Sequence, residues 1–220
     1  YLATKTSVDI AKTYLENEDH INQNKAKSIL REAFQKSRQV ITDRANEIKV
    51  SKSAFNTTLL TAVATSSAVA GAAVGDGGIV VRQKAKNSLL IPREKTEYIN
   101  ETTPVQSNNW ENHYRFGYQT DVDAVAVFSD GLDPFVWSLS TNASPRKKMF
   151  DEVFAYFMQR AENNGSCEEM CSFLEQEHFR SYSSDDKTLA VGIVGQESRC
   201  SQMLELFDSY PLEELSIEHE

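Results

Sequence analysis

The sequence predicts an α+β domain with antiparallel sheets and with helices packed on the faces of those sheets. The first observation is the order of the elements, since two helical patterns open the chain, short strand patterns follow, and further helical patterns precede one last strand. The second observation is that strands and helices do not alternate regularly, as they would in a parallel α/β fold. One domain is expected, because 220 residues suffice for a single sizeable core.

The chain is predicted to open with two helices. From Ala3 to Leu15 the apolar residues fall at helical spacing, and a polar break at residues 16–24 separates this helix from the next. Lys25 to Val50 carries one apolar stripe over about seven turns of helix. Near the other end of the chain, Arg146 to Ala161 is a strongly apolar helical pattern, and Cys167 to Glu177 is expected to pack against it as a helical hairpin.

Small and β-branched residues predict strands in the middle of the chain. Thr57 to Thr65 and Ala68 to Val74 are rich in such residues and are bounded by Ser-Ser and Gly-Asp-Gly-Gly. Gly77 and Gly78 can supply positive φ in a tight turn before a strand at Ile79 to Arg82. These strands are therefore expected to form a meander.

Four further short strands are predicted. The segment Ala124 to Phe128 is an uninterrupted apolar run, which is typical of a strand buried on both faces. The others lie at Ser88 to Ile91, around Thr103 to Val105, and at Thr188 to Val194.

Composition and charge limit the possible partners. Hydrophobic residues make up 40% of the chain, and no window reaches the roughly 20 apolar residues that a membrane-spanning helix needs. The net charge of -9 argues against a nucleic-acid partner, because phosphate contacts need clustered Lys and Arg. Three cysteines favour neither a disulfide framework nor a zinc cluster, so a reducing, cytoplasmic location is expected. Neither nucleic acid nor a membrane is therefore expected as a partner.

Five segments, in this order along the chain, resemble successive motifs of the protein phosphatase 2C family of metal-dependent serine/threonine phosphatases, and in particular of its bacterial-type branch. They are Asn56–Leu60, Val74–Arg82, Glu97–Thr103, Phe128–Leu132 with its Ser-Asp-Gly, and Asp185–Thr188. Each motif is weak alone, but their shared order makes the resemblance specific. The resemblance covers roughly residues 1–195, which we assign to the domain, and leaves residues 196–220 as an acidic tail.

The resemblance implies a fold, an activity and a cofactor. The family fold is a four-layer αββα arrangement, an antiparallel β-sandwich flanked by helices, and this chain is expected to lack its N-terminal strands. The implied activity is hydrolysis of phosphoserine and phosphothreonine in proteins by a metal-activated water, at a site for two Mg²⁺ or Mn²⁺ ions. A phosphoprotein, such as one regulated by a kinase, is the implied partner.

Asp130 and Asp185 are the metal ligands that the resemblance implies in this chain. Hard divalent cations prefer carboxylate oxygens, which suits both residues. The alternative is that Asp130 only starts a turn before Gly131, and that Asp185 only caps the turn before a strand. Asp76 is interpreted as a structural residue of its glycine-rich turn, and Asp186 as a solvated turn residue.

Two motifs of the family are absent from this sequence, an Arg-x-x-Asn-Gln-Asp segment and an Asp-Gly-x-Gly-Gly segment. In the family they supply the phosphate-binding arginine and further metal ligands, so no catalytic residue is identified in this chain. We expect the missing part to lie upstream, and we expect the 220-residue chain alone to bind metal weakly and to have little activity. The alternatives are a catalytically inactive pseudophosphatase that acts as an interaction or regulatory domain, and an adaptor with coincidental motifs.

Overall fold

The computed structural model describes residues 2–15, 20–91, 102–137, 144–161, 171–172, 174–175, 177, 181 and 183–194. The longer helices are α1 (Leu2–Leu15), α2 (Gln23–Glu47) and α5 (Lys147–Ala161), and the short ones are α3 (Trp110–His113) and α4 (Asp133–Val136). The strands are β1 (Leu59–Ala64), β2 (Ala68–Val74), β3 (Gly78–Gln83), β4 (Lys86–Leu89), β5 (Arg115–Thr120), β6 (Ala124–Phe128) and β7 (Leu189–Ile193). Single turns of 3₁₀ helix occupy Lys52–Phe55 and Asp130–Leu132.

The strands form two antiparallel sheets. Sheet I has the strand order β1-β2-β5, and sheet II has the order β4-β3-β6-β7. Helices α1 and α2 pack on the outer face of sheet I, and α4 and α5 pack on the outer face of sheet II. The inner faces of the two sheets share an apolar core. This four-layer αββα arrangement confirms the α+β class predicted from the sequence.

The long helix α2 forms where its apolar stripe predicts. The side chain of Asn22 caps its first turn by accepting a hydrogen bond of 3.0 Å from the backbone N–H of Lys25. Leu30, Phe34 and Ile41 lie along one face of the helix and are buried against sheet I and α1. Burial of this stripe holds α2 on the sheet, because apolar area removed from water is the main stabilising contribution.

Strand β2 is buried along its whole length because both of its faces are covered. Ala70 and Ala72 face the helices, whereas Val69 and Ala73 face sheet II. A Cβ at Gly71 would lie only 2.9 Å from side-chain atoms of Ile79 and of Leu90. The small residues of β2 therefore allow the two sheets to approach closely.

The predicted meander through β2 and β3 is wrong. The two strands belong to different sheets, and the chain crosses between the sheets through a turn in which Gly75 and Gly77, and not Gly78, have positive φ. The hairpin instead joins β3 to β4, with Lys84 and Ala85 at positive φ. Local sequence marks a turn here, but the choice of sheet depends on partners that are distant along the chain.

Two other predictions for this region need correction. The residues around Thr103 to Val105 form no strand; they lead into a turn, and the backbone N–H of Val105 bonds to the carbonyl of Thr57 at 2.8 Å. Strand β5 was not predicted, although Phe116 and Tyr118, two residues apart along it, both pack toward the helices.

The helix predicted at Cys167 to Glu177 lies mostly outside the described residues, and the tail at residues 196–220 lies wholly outside them.

Among the residues that the structure describes, no helix combines the length and the apolar character that crossing a membrane requires.

Candidate functional site at one edge of sheet II

Three loops meet at one edge of sheet II because of the strand register. Gly78, the first residue of β3, pairs with Phe128, the last residue of β6, and Phe128 also pairs with Leu189, the first residue of β7. Since neighbouring strands are antiparallel, the loop before β3, the loop after β6 and the loop before β7 must lie at the same edge. These loops carry Asp76, Asp130 and Asp185, which we call the acidic edge.

Asp130 is a carboxylate of the acidic edge whose pKa is shifted by its surroundings. Its side chain lies at the surface but is partly covered, and it accepts a hydrogen bond from the backbone N–H of Gly131. Partial burial and the neighbouring charges of Asp76, Asp185 and Asp133 together raise the pKa of Asp130 above its ordinary value. Asp76 and Asp185, distant in sequence, are therefore close enough to repel Asp130.

Gly131 allows the loop after β6 to approach the loop before β7. A Cβ at this position would lie 2.5 Å from the carbonyl oxygen of Asp186 and 3.2 Å from that of Asp185. Any larger residue would push the two loops apart. The glycine of the Ser-Asp-Gly motif therefore allows the loops of the two predicted ligands to lie close together.

Ser129 joins the same two loops through hydrogen bonds. Its backbone N–H donates to the carbonyl of Thr188 at 3.1 Å, and its hydroxyl accepts from the N–H of Thr188 at 3.0 Å. The hydroxyl also donates to the carbonyl of Asp186 at 3.1 Å. Ser129 belongs to the Ser-Asp-Gly motif, but the sequence alone did not indicate a role for its hydroxyl, because the partners of that hydroxyl lie on a loop distant along the chain.

The turn that carries Asp76 is held from two sides. Thr102 Oγ1 donates to Asp76 Oδ2 at 2.5 Å, and the guanidinium of Arg115 donates to the carbonyl of Gly75. Asp76 is half-buried, and these contacts agree with the structural role given to it from the sequence. Its closeness to Asp130 is a feature that the sequence did not indicate, because the sheet crossover between β2 and β3 creates it.

The loop before β7 presents Asp185 to solvent. Its backbone N–H donates to the hydroxyl of Ser183 at 3.2 Å. The ammonium group of Lys187 donates to the carbonyls of Ser183 and Asp185 at 2.9 and 3.1 Å, so the lysine binds the backbone of this loop. Asp186 is also exposed and contributes its carbonyl to the contact with Ser129, which agrees with its interpretation as a solvated turn residue.

The acidic edge offers the type of donor that a hard divalent cation prefers, but too few donors among the described residues to hold one. Its exposed carboxylates are the oxygen donors that Mg²⁺ and Mn²⁺ prefer, and their mutual repulsion would be relieved by a bound cation. Within the described part of the chain, however, no three Asp, Glu, His or Cys side chains are grouped closely enough to hold a metal ion. The described residues can therefore supply part of a metal site.

Comparison with known proteins gives a family match and several fold matches. A family model described as protein phosphatase 2C matches residues 1–175. The crystal structure of a bacterial serine phosphatase is similar with a TM-score of 0.57 at 18% identity, over 88% of this chain and 80% of that chain. A sex-determining protein of C. elegans is similar with a TM-score of 0.57 at 12% identity, over 92% of this chain and 53% of that chain. A search of curated proteins finds no match.

Proposed function

The chain belongs to the protein phosphatase 2C family, and we propose that it serves the Mg²⁺- or Mn²⁺-dependent hydrolysis of phosphoserine and phosphothreonine in proteins. The observation that carries this proposal is the convergence of Asp76, Asp130 and Asp185 at one edge of sheet II. Carboxylates placed close to one another, near solvent and with a raised pKa at one of them, are typical of a site that binds a cation or handles protons.

Asp130 and Asp185 would hold the cation in this proposal. Both side chains are exposed, and both lie on loops whose backbones are fixed by hydrogen bonds and by the close approach at Gly131. When bound, such a cation lowers the pKa of a water molecule so that it can attack phosphorus near neutral pH, and it neutralises charge on the phosphate. Asp76 remains a structural residue of its turn and adds a negative charge beside Asp130.

The remaining donors of a two-cation site are expected outside this sequence. The chain contains neither the Arg-x-x-Asn-Gln-Asp segment nor the Asp-Gly-x-Gly-Gly segment, the two family motifs that would supply further donors. With a few carboxylates the charge of two divalent cations is only partly balanced. We therefore expect the 220-residue chain alone to bind Mn²⁺ weakly and to turn over slowly.

An inactive domain with an interaction or regulatory role is the second candidate. It is favoured by the absence, among the described residues, of any group of three side chains suited to a metal ion. In that case the αββα framework would present a surface to a partner protein, and the carboxylates of the acidic edge would be exposed turn residues.

Hydrolysis of p-nitrophenyl phosphate with added Mn²⁺ separates the two candidates. The comparison uses this chain, a form extended upstream of Tyr1, and the extended form with Asp130→Asn or with Asp186→Asn. Asp186→Asn is the matched control, because it removes the same charge from an exposed side chain in the same region. We expect Mn²⁺-dependent turnover in the extended form, a loss of at least about a hundredfold with Asp130→Asn, and little change with Asp186→Asn. No turnover in the extended form would favour the inactive domain.

A further inference from the structure

Ser129 occupies the point where strand β6 ends and the turn that carries Asp130 begins. In an antiparallel ladder the residue after Phe128 would exchange two backbone hydrogen bonds with Thr188, the residue before Leu189. Only one of these bonds is a backbone bond, from the N–H of Ser129 to the carbonyl of Thr188 at 3.1 Å.

The carbonyl of Ser129 forms a hydrogen bond within the turn instead of one to Thr188 in the ladder. It accepts a hydrogen bond of 3.1 Å from the backbone N–H of Leu132, which closes the 3₁₀ turn over Asp130. The N–H of Thr188 is then accepted by the hydroxyl of Ser129 at 3.0 Å. The side chain therefore replaces the backbone carbonyl, so that the turn can form without loss of the contact to β7.

The hydroxyl also reaches further into the neighbouring loop. It donates to the carbonyl of Asp186 at 3.1 Å, one residue beyond Asp185. The hydroxyl of Ser129 thus accepts a hydrogen bond from the N–H of Thr188 and donates one to the carbonyl of Asp186, both on the Asp185 loop. The backbone of Ser129 begins the Asp130 turn. Alanine at this position would keep the turn and would lose both side-chain contacts to the loop.

We propose that Ser129 is a positioning residue that fixes the loop of Asp185 relative to the turn of Asp130, and so sets the spacing of the two carboxylates. The proposal rests on the proposed function, because the spacing matters only if these carboxylates share a cation site. Residues that orient metal ligands in this way commonly change metal affinity by about 10- to 100-fold when they are replaced.

Two measurements on the same variants test this role. Hydrogen exchange at the backbone N–H of Thr188, measured without metal, reports whether the hydroxyl holds the loop. Free Mn²⁺ in a titration, followed by electron paramagnetic resonance, reports metal affinity without relying on turnover. The variants, each made in the form extended upstream of Tyr1, are Ser129→Ala, Ser129→Thr, which keeps the hydroxyl, and Ser37→Ala. The last is the matched control, because it removes a buried serine hydrogen bond of 2.9 Å to the carbonyl of Ala3, between α1 and α2.

We expect Ser129→Ala to speed exchange at Thr188 and to weaken Mn²⁺ binding at least about tenfold, Ser129→Thr to restore both, and Ser37→Ala to change neither. Unchanged exchange at Thr188 in Ser129→Ala, or faster exchange with unchanged Mn²⁺ affinity, would overturn the positioning role alone. Failure of the unsubstituted extended form to bind Mn²⁺ saturably, in the presence of normal Thr188 protection, would overturn the proposed cation site and the role that depends on it.

Discussion

Strand β3 has carboxylates near both of its ends, and their surroundings differ sharply. Near its last residues, Arg82 and Asp151 of α5 form an ion pair at 2.5 Å in which each side chain is only 4% exposed. Lys147 and Asn87 also donate to the carboxylate of Asp151, at 2.5 and 2.9 Å. Just before β3 begins, partial burial of Asp130 and the nearby charges of Asp76 and Asp185 raise the pKa of Asp130.

The difference distinguishes two uses of the same chemical group. A buried carboxylate that receives donors from the protein links elements of the fold, here sheet II and α5. Carboxylates that repel one another near solvent oppose folding slightly, and their charge is best balanced by a cation from solution. Removal of a carboxylate should therefore change stability in opposite directions at the two ends of β3.

The largest effect is expected at the buried end of β3. Asp151→Ala would leave the guanidinium of Arg82 buried without its carboxylate, which should lower the free energy of unfolding by about 3 kcal/mol or more. Urea denaturation measures this change. The control is Glu47→Ala, which removes an exposed partner of Arg44 and should cost less than about 1 kcal/mol. Equal effects of the two substitutions would contradict the importance given to burial.

An intermediate effect is expected at Gly131. Gly131→Ala places a Cβ where the carbonyl of Asp186 lies 2.5 Å away, so the two loops must separate, at a cost of about 1–3 kcal/mol. Denaturation and Mn²⁺ titration should both register the change. In Gly192→Ala the nearest atom to the new Cβ would be a methyl carbon of Val125 at 3.3 Å, so a smaller loss with unchanged Mn²⁺ affinity is expected. A larger loss at Gly192 would refute this account of the loop contact.

The smallest effect, with the opposite sign, is expected for Asp130→Asn without metal. Because the folded-state pKa of Asp130 is raised, the folded protein holds this proton to a higher pH than the unfolded chain does, and ionisation therefore costs stability. Asp130→Asn should raise the free energy of unfolding near neutral pH by less than about 1 kcal/mol, since the side chain is largely solvated, and the midpoint of thermal unfolding should rise with it.

The pH dependence tests this sign. The advantage of Asp130→Asn should be present above the folded-state pKa and should disappear as the pH falls below the ordinary aspartate value of 3.8. Added Mn²⁺ should reverse the order of the two proteins at neutral pH, because it stabilises only the form that binds it. Destabilisation by Asp130→Asn at neutral pH in the absence of metal would contradict the repulsion inferred at the acidic edge.

Part of the site could be predicted from the sequence. The resemblance of the Ser-Asp-Gly motif to that of the family implies Asp130 as a ligand, and the structure places Asp130 just after the buried strand β6, as expected. The loop of Asp185 also lies where its motif indicates, before β7. The metal-binding roles of both residues remain predictions. The contributions of Ser129 and Thr102 were not predicted, because their hydrogen bonds depend on which loops lie beside them.

The helices α1 and α2 and the buried strands β2 and β6 follow from local patterns, because a residue's polarity records whether its side chain faces water. The assignment of β2 and β3 to different sheets, the pairing of β3 with β6, and the closeness of Asp76 to Asp130 were decided by the tertiary structure. Strand pairing joins residues far apart in the chain, and it is selected by the packing of two sheets and two helical layers as a whole. A local apolar pattern can thus specify that a strand is buried while leaving its partner open.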